Sequence, residues 1–158
     1  MNQILITAPN RLPYKIFLAG GISNCFDWQK HAVEMLFQHL DMPHIVINPR
    51  RYDFDITKEE MSSQQIEWEH RMLKTSDLVL FWFPKETLCP ITLFELGAMS
   101  YSNKRIVVGC HSKYKRKFDV EKQLSIQRPG VFVHEYLSKV IEQVVIELKN
   151  LQQIENSY

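Results

Sequence analysis

The run Asp77-Leu78-Val79-Leu80-Phe81-Trp82-Phe83 constrains the fold of this chain more than any other segment. A strand with one wet face alternates apolar and polar residues, and this run does not alternate. It predicts a central parallel strand covered on both faces. Two covered faces require helices above and below the sheet, which the rest of the chain must supply.

The flanking pattern supplies them. Residues 15–22 (KIFLAGGI) read as a buried strand running into glycines. From Asp27 onward Trp28, Ala32, Met35, Leu36 and Leu40 recur at helical spacing, with Ser23, Asn24 or Asp27 available as a cap. Residues 44–48 (HIVIN) form a second strand that Pro49 ends, and the polar stretch PRRYDFDITKEE follows as a loop. Met61, Gln65, Trp68 and Met72 share one face of a helix over 59–74, with Gln65 and Glu69 on its border. Pro90 suits a first helical position and opens CPITLFELGAMS, a helix apolar nearly all round. Residues 105–110 (RIVVGC) are a fourth strand, 111–129 a long basic loop, and 130–134 (GVFVH) a fifth strand. Leu137, Val140, Ile141, Val144, Leu148 and Leu151 mark a C-terminal amphipathic helix. The expected architecture is a single α/β domain over 1–158: an open, mostly parallel five-stranded sheet with helices on both faces.

Such sheets bind ligands outside the carboxyl ends of their strands. AGGISN, NPRRYDFD and PKETLCPITLFE fall there. Nineteen Lys and Arg against eighteen Asp and Glu leave a net charge of +1, which argues against a nucleic acid polymer or an anionic membrane as partner. No apolar stretch has the length of a membrane span, and MNQILITAPNRLPYK lacks the basic start and apolar run of a secretory leader. Cys25, Cys89 and Cys110 form no C-x-x-C pair, so neither a disulfide framework nor a zinc site is expected, and a reducing cytoplasm fits. The six histidines show no ligand spacing with carboxylates. The expected partner is a small molecule, with no metal and no cofactor.

Glu95 is the carboxylate in the apolar helix, and Ile91, Thr92, Ala98 and Met99 share its side. A charge there is costly unless paired, so Glu95 is either a perturbed functional acid, the partner of a distant cation, or turned to solvent. Gly97 would let the helix sit close to the sheet. Gly20 and Gly21 either admit a ligand to the backbone or make a tight turn. Arg50, Arg51, Asp53 and Asp55 could clamp an anion and a sugar, or pair among themselves in a solvated loop. Lys113, Lys115, Arg116 and Lys117 read as a solvated loop able to close over an anion. Glu69 alone is an ordinary surface acid; beside Glu95 it would complete the carboxylate pair that glycosidic chemistry uses.

The ordered set IFLAGGI, INPRRYDFD, QIEWE, SDLVLFWFP, PITLFELGAMS and KRIVVGC resembles the nucleoside 2-deoxyribosyltransferase-like superfamily, most of all its divergent bacterial and phage-type branch, over residues 15 to 120. The resemblance implies a flavodoxin- or Rossmann-like fold and a nucleoside or nucleotide substrate. It makes Glu95 of the E-L-G motif the nucleophile and Glu69 the acid that protonates the departing base. Gly20 and Gly21 would form the pocket floor, and Asp53 and Asp55 would approach the substrate. Phe17 stands where many members have a tyrosine, and Cys89 where many have a sugar-binding aspartate. A homo-oligomer with shared active sites is also implied.

The leading expectation is cleavage of an N-glycosidic bond with transfer of the deoxyribosyl group to another base. The alternatives are hydrolysis of deoxynucleoside 5'-monophosphates, with Arg50, Arg51 or the 113–117 segment holding phosphate, a binding module that captures a nucleotide-derived ligand uncleaved, and cleavage of a nicotinamide dinucleotide.

Overall fold

The computed structural model describes residues 12–51 and 59–157. Its five strands are β1 (Tyr14–Gly20), β2 (His44–Ile47), β3 (Leu78–Phe83), β4 (Arg105–Cys110) and β5 (Val133–His134). The helices are α1 (Trp28–His39), α2 (Glu59–Thr75), α3 (Pro90–Ser100), α4 (Lys117–Gln127) and α5 (Leu137–Glu155). The sheet order is β2-β1-β3-β4-β5 and every pairing is parallel, the flavodoxin- or Rossmann-like arrangement.

The unalternating run takes the central position. All six residues of β3 are buried. Leu78, Leu80 and Trp82 join Ile16 and Leu18 of β1 beneath α1 and α5, against Trp28, Leu36, Val140 and Val144. Val79, Phe81 and Phe83 join Phe17 and Ala19 on the other face, against Leu73 of α2, Leu96 of α3 and Val120 of α4. Each such side chain contributes about 1.5–3 kcal/mol by leaving water. Asp77, just ahead of β3, locks the register: its carboxylate accepts from the Lys15 amide at 2.7 Å, and its own amide donates to the Lys15 carbonyl at 2.8 Å. Of the three candidate caps for α1, Asp27 serves, accepting from the Lys30 amide at 3.1 Å.

Two expectations need correction. Residues 111–129 are not one long loop, because 117–127 form α4. Val120 and Leu124 bury one turn apart, while Phe118 and Ile126 are exposed, so the apolar stripe is blurred. Lys117 pairs with Glu121 at 2.6 Å across one turn and with Glu135 at 3.0 Å, and Arg116 pairs with Asp119 at 3.2 Å. Gly97, in turn, does not bring α3 to the sheet: a Cβ there would meet nothing within 4 Å. Thr92, Leu96 and Ser100 make the sheet-facing stripe instead. The opposite face of α3 is apolar and open, with Ile91, Phe94 and Tyr101 exposed by 66%, 78% and 79%. Among the described residues no helix is long and apolar enough to cross a membrane.

Candidate active site

A cleft of about 260 Å³ opens at the carboxyl ends of β1 and β3. The chain leaves β1 for a helix on one face and β3 for a helix on the other, so the two connections diverge and leave a crevice between them. Phe17, Ala19 and Gly20 come from β1, Gly21 to Ser23 from the turn after it, Pro49 from just beyond β2, and Glu69 from α2. Cys89, Thr92 and Glu95 come from α3 and its cap.

Glu69 and Glu95, 26 positions apart in sequence by their numbering, meet in this cleft. Burial pushes the Glu95 carboxyl up to about 7, and the Glu69 carboxylate adds to the rise. Among the described residues no cation and no hydrogen-bond donor meets Glu95, which removes the reading of a distant ion pair. Burial raises Glu69 too, against a partial offset from Gln65, whose amide donates to Glu69 Oε1 at 2.8 Å. The same Gln65 nitrogen donates to the Pro49 carbonyl at 3.2 Å, so α2 is tied to the end of β2 through the residue that orients Glu69. Trp68 packs on Phe17, ring centroids 6.5 Å apart.

The glycines serve close packing first. Neither has a positive φ. A Cβ on Gly20 would lie 2.4 Å from Trp28 Cζ2 and from the Trp82 carbonyl oxygen, and one on Gly21 would lie 2.8 Å from Pro84 and Thr87. No side chain fits at either position, and the bare backbone becomes cleft wall. Cys89 caps α3 in the left-handed region at φ 50° and is nearly fully buried. Its thiol donates to the Thr87 carbonyl at 3.5 Å, and burial foremost pushes it up to about 12, so it stays a neutral group. Phe17 offers a ring with no hydroxyl. The two positions singled out as departures are thus both uncharged walls of the cleft.

Arg50 is engaged within the chain. Its Nε donates to Gln29 Oε1 at 3.0 Å and pairs with Asp27 at 3.2 Å, and its Nη2 reaches the Gly21 and Phe26 carbonyls at 3.5 Å and Cys25 Sγ at 3.7 Å. The guanidinium braces the turn between β1 and α1 and does not line the cleft. Arg51 is exposed and away from the cleft. Asp53 and Asp55 lie outside the described residues. The basic residues 113–117 do not line the cleft either; Tyr114 within them donates to the Leu88 carbonyl at 2.7 Å and steadies the segment leading into α3. Sequence reasoning missed Gln29, fully buried, which donates to the Gly21 carbonyl at 3.1 Å while accepting from Arg50. A glutamine on the apolar side of α1 was the available signal. Among the described residues no cluster could hold a metal ion.

Fold and site together define an α/β protein that holds two perturbed carboxyls at the ligand-binding rim of a parallel sheet. The family described as nucleoside 2-deoxyribosyltransferase like matches residues 13–114, from the start of β1 to Tyr114 beyond β4, and the chain belongs to that family. That span contains both acids and every described wall of the cleft. A comparison with curated proteins gave no match.

Proposed function

We propose that this chain, acting as a single domain, cleaves the N-glycosidic bond of a 2-deoxynucleoside and transfers the deoxyribosyl group to another base through a glutamyl-glycosyl intermediate. The observation that carries the reading is the half-buried Glu95, without a partner among the described residues, lining one cleft with Glu69. Ionised Glu95 attacks the anomeric carbon. As the carbon–nitrogen bond breaks, its electrons pass to the base, and neutral Glu69 gives the departing base a proton. An incoming base then attacks the same carbon, the ester bond returns its electrons to Glu95, and Glu69 accepts the proton that the new base sheds. Water in place of the second base would make the same device a hydrolase.

Incubation with deoxynucleosides, their monophosphates and NAD, each with and without a second base, separates the outcomes by chromatography of products. Base exchange on deoxynucleosides is expected; silence on every nucleoside overturns the reading. Monophosphate hydrolysis loses support from Arg50, which is engaged within the chain. Uncleaved capture of a ligand is the second reading, and the uncharged walls at Phe17 and Cys89 favour it. Saturable thermal stabilisation by a nucleoside with no free base would establish it.

The exposed stripe of Ile91, Phe94 and Tyr101 supports a second proposal about assembly: a second copy of the chain covers this face of α3. Ile91 also lines the cleft, so the covering copy would close the reaction from water on that side. The unpaired thiols of Cys25, Cys89 and Cys110 suit a cytoplasmic location.

A further inference from the structure

A second cleft, of about 300 Å³, lies on the α1 and α5 side of the same sheet rim. Trp28, Trp82, Met35 and Leu137 give it apolar walls, and Phe26, His31, Glu86 and His111 also line it. One backbone separates it from the first cleft. Gly20 and Gly21 line the first cleft, while Trp28 and Pro84, the groups that a side chain on those glycines would strike, line the second.

Three features of the second cleft suit a flat, amino-bearing ring. Phe26 and His31 form a tilted pair with centroids 4.8 Å apart and an interplanar angle of 32°, and Phe26 is 62% exposed. An aromatic residue left in water on a braced turn is a prepared stacking surface, and this turn is braced: the Phe26 carbonyl accepts from the Trp28 amide at 2.8 Å and from Arg50. His111 Nδ1 accepts from the Lys113 amide at 3.1 Å, which puts the ring's N–H on Nε2 as a donor. Glu86 is an exposed acceptor for an exocyclic amine.

We propose that this second cleft binds a free nucleobase bearing an exocyclic amine, at a site separate from the Glu69–Glu95 cleft. The choice of a nucleobase among flat rings rests on the function proposed above; the stacking geometry does not. Two tryptophans separate the sites, because Trp82 lines the second cleft while Trp68 packs on Phe17 of the first; Trp28 lines the second cleft, but its indole N–H donates to the Gly21 carbonyl at 2.9 Å and so touches the wall of both.

The test titrates adenine, cytosine, hypoxanthine and thymine into ¹⁵N-labelled Glu95→Gln protein and follows the three indole N–H signals by NMR. Adenine and cytosine should shift Trp28 and Trp82 saturably, and Phe26→Ala, at an exposed position, should weaken that binding about tenfold. Shifts confined to Trp68 and Trp28, equal affinity in Phe26→Ala, or no saturable shift would overturn the proposal. If the wild-type protein releases no base from any nucleoside while Trp82 still responds, the cleavage reading fails and the second site stands.

Discussion

Glu95 ionises under the influence of Glu69: burial in the shared cleft carries its carboxyl to about 7, and the neighbouring carboxylate contributes to that rise. Two acids so placed give up their protons as a pair. The proposed chemistry uses the less populated arrangement of the singly protonated pair, with the charge on Glu95 and the proton on Glu69.

The activity should therefore be bell-shaped in pH, with its alkaline limb near the value of about 7 at which the second proton leaves. In Glu69→Gln the rate should drop about a hundredfold or more. Removing the Glu69 charge also lowers the Glu95 value, so the residual rate should rise with pH to a plateau instead of falling. Initial-rate profiles of kcat/KM for the two proteins check this.

Stability should respond to the same carboxyl. Its folded value of about 7 lies above the ordinary 4.5, so the folded state holds the proton more tightly than the unfolded chain. Stability is then fully present below pH 4.5 and declines as pH rises through 7. Glu95→Gln removes that decline. Urea unfolding should show the variant more stable by on the order of 2 kcal/mol at pH 8 and nearly equal to wild type at pH 4.5.

Arg50→Met should act on the fold and not on phosphate recognition. It leaves Asp27, Gln29 and the Gly21 carbonyl short of a donor, at a cost of about 2–4 kcal/mol. The ratio of activities on a deoxynucleoside and its monophosphate should stay the same. A selective loss of the monophosphate would assign Arg50 to substrate.

Phe94→Glu places a charge on the open face of α3, where the side chain is 78% exposed and touches little of its own chain. Sedimentation should show a smaller particle than wild type, with the unfolding transition of the isolated chain little changed.

The sheet was legible because β3 carries six buried residues in a row, and Pro90 marked the start of α3. The Glu69–Glu95 pairing followed from family order and not from spacing, since nothing local brings α2 and α3 to one cleft. What stayed hidden depended on partners distant in sequence. Arg50 resembles a ligand clamp until Gln29, 21 positions away, takes its Nε. Helix α4 hid because exposed Phe118 and Ile126 broke its stripe. Gly97 misled because a glycine opening onto solvent and one packed under a sheet look alike in sequence.

The most direct test of the central claim is base release from a deoxynucleoside by Glu95→Ala, with circular dichroism to confirm the fold. The account predicts a loss of about 10⁴-fold relative to wild type in a folded protein. Base release at the wild-type rate would contradict it.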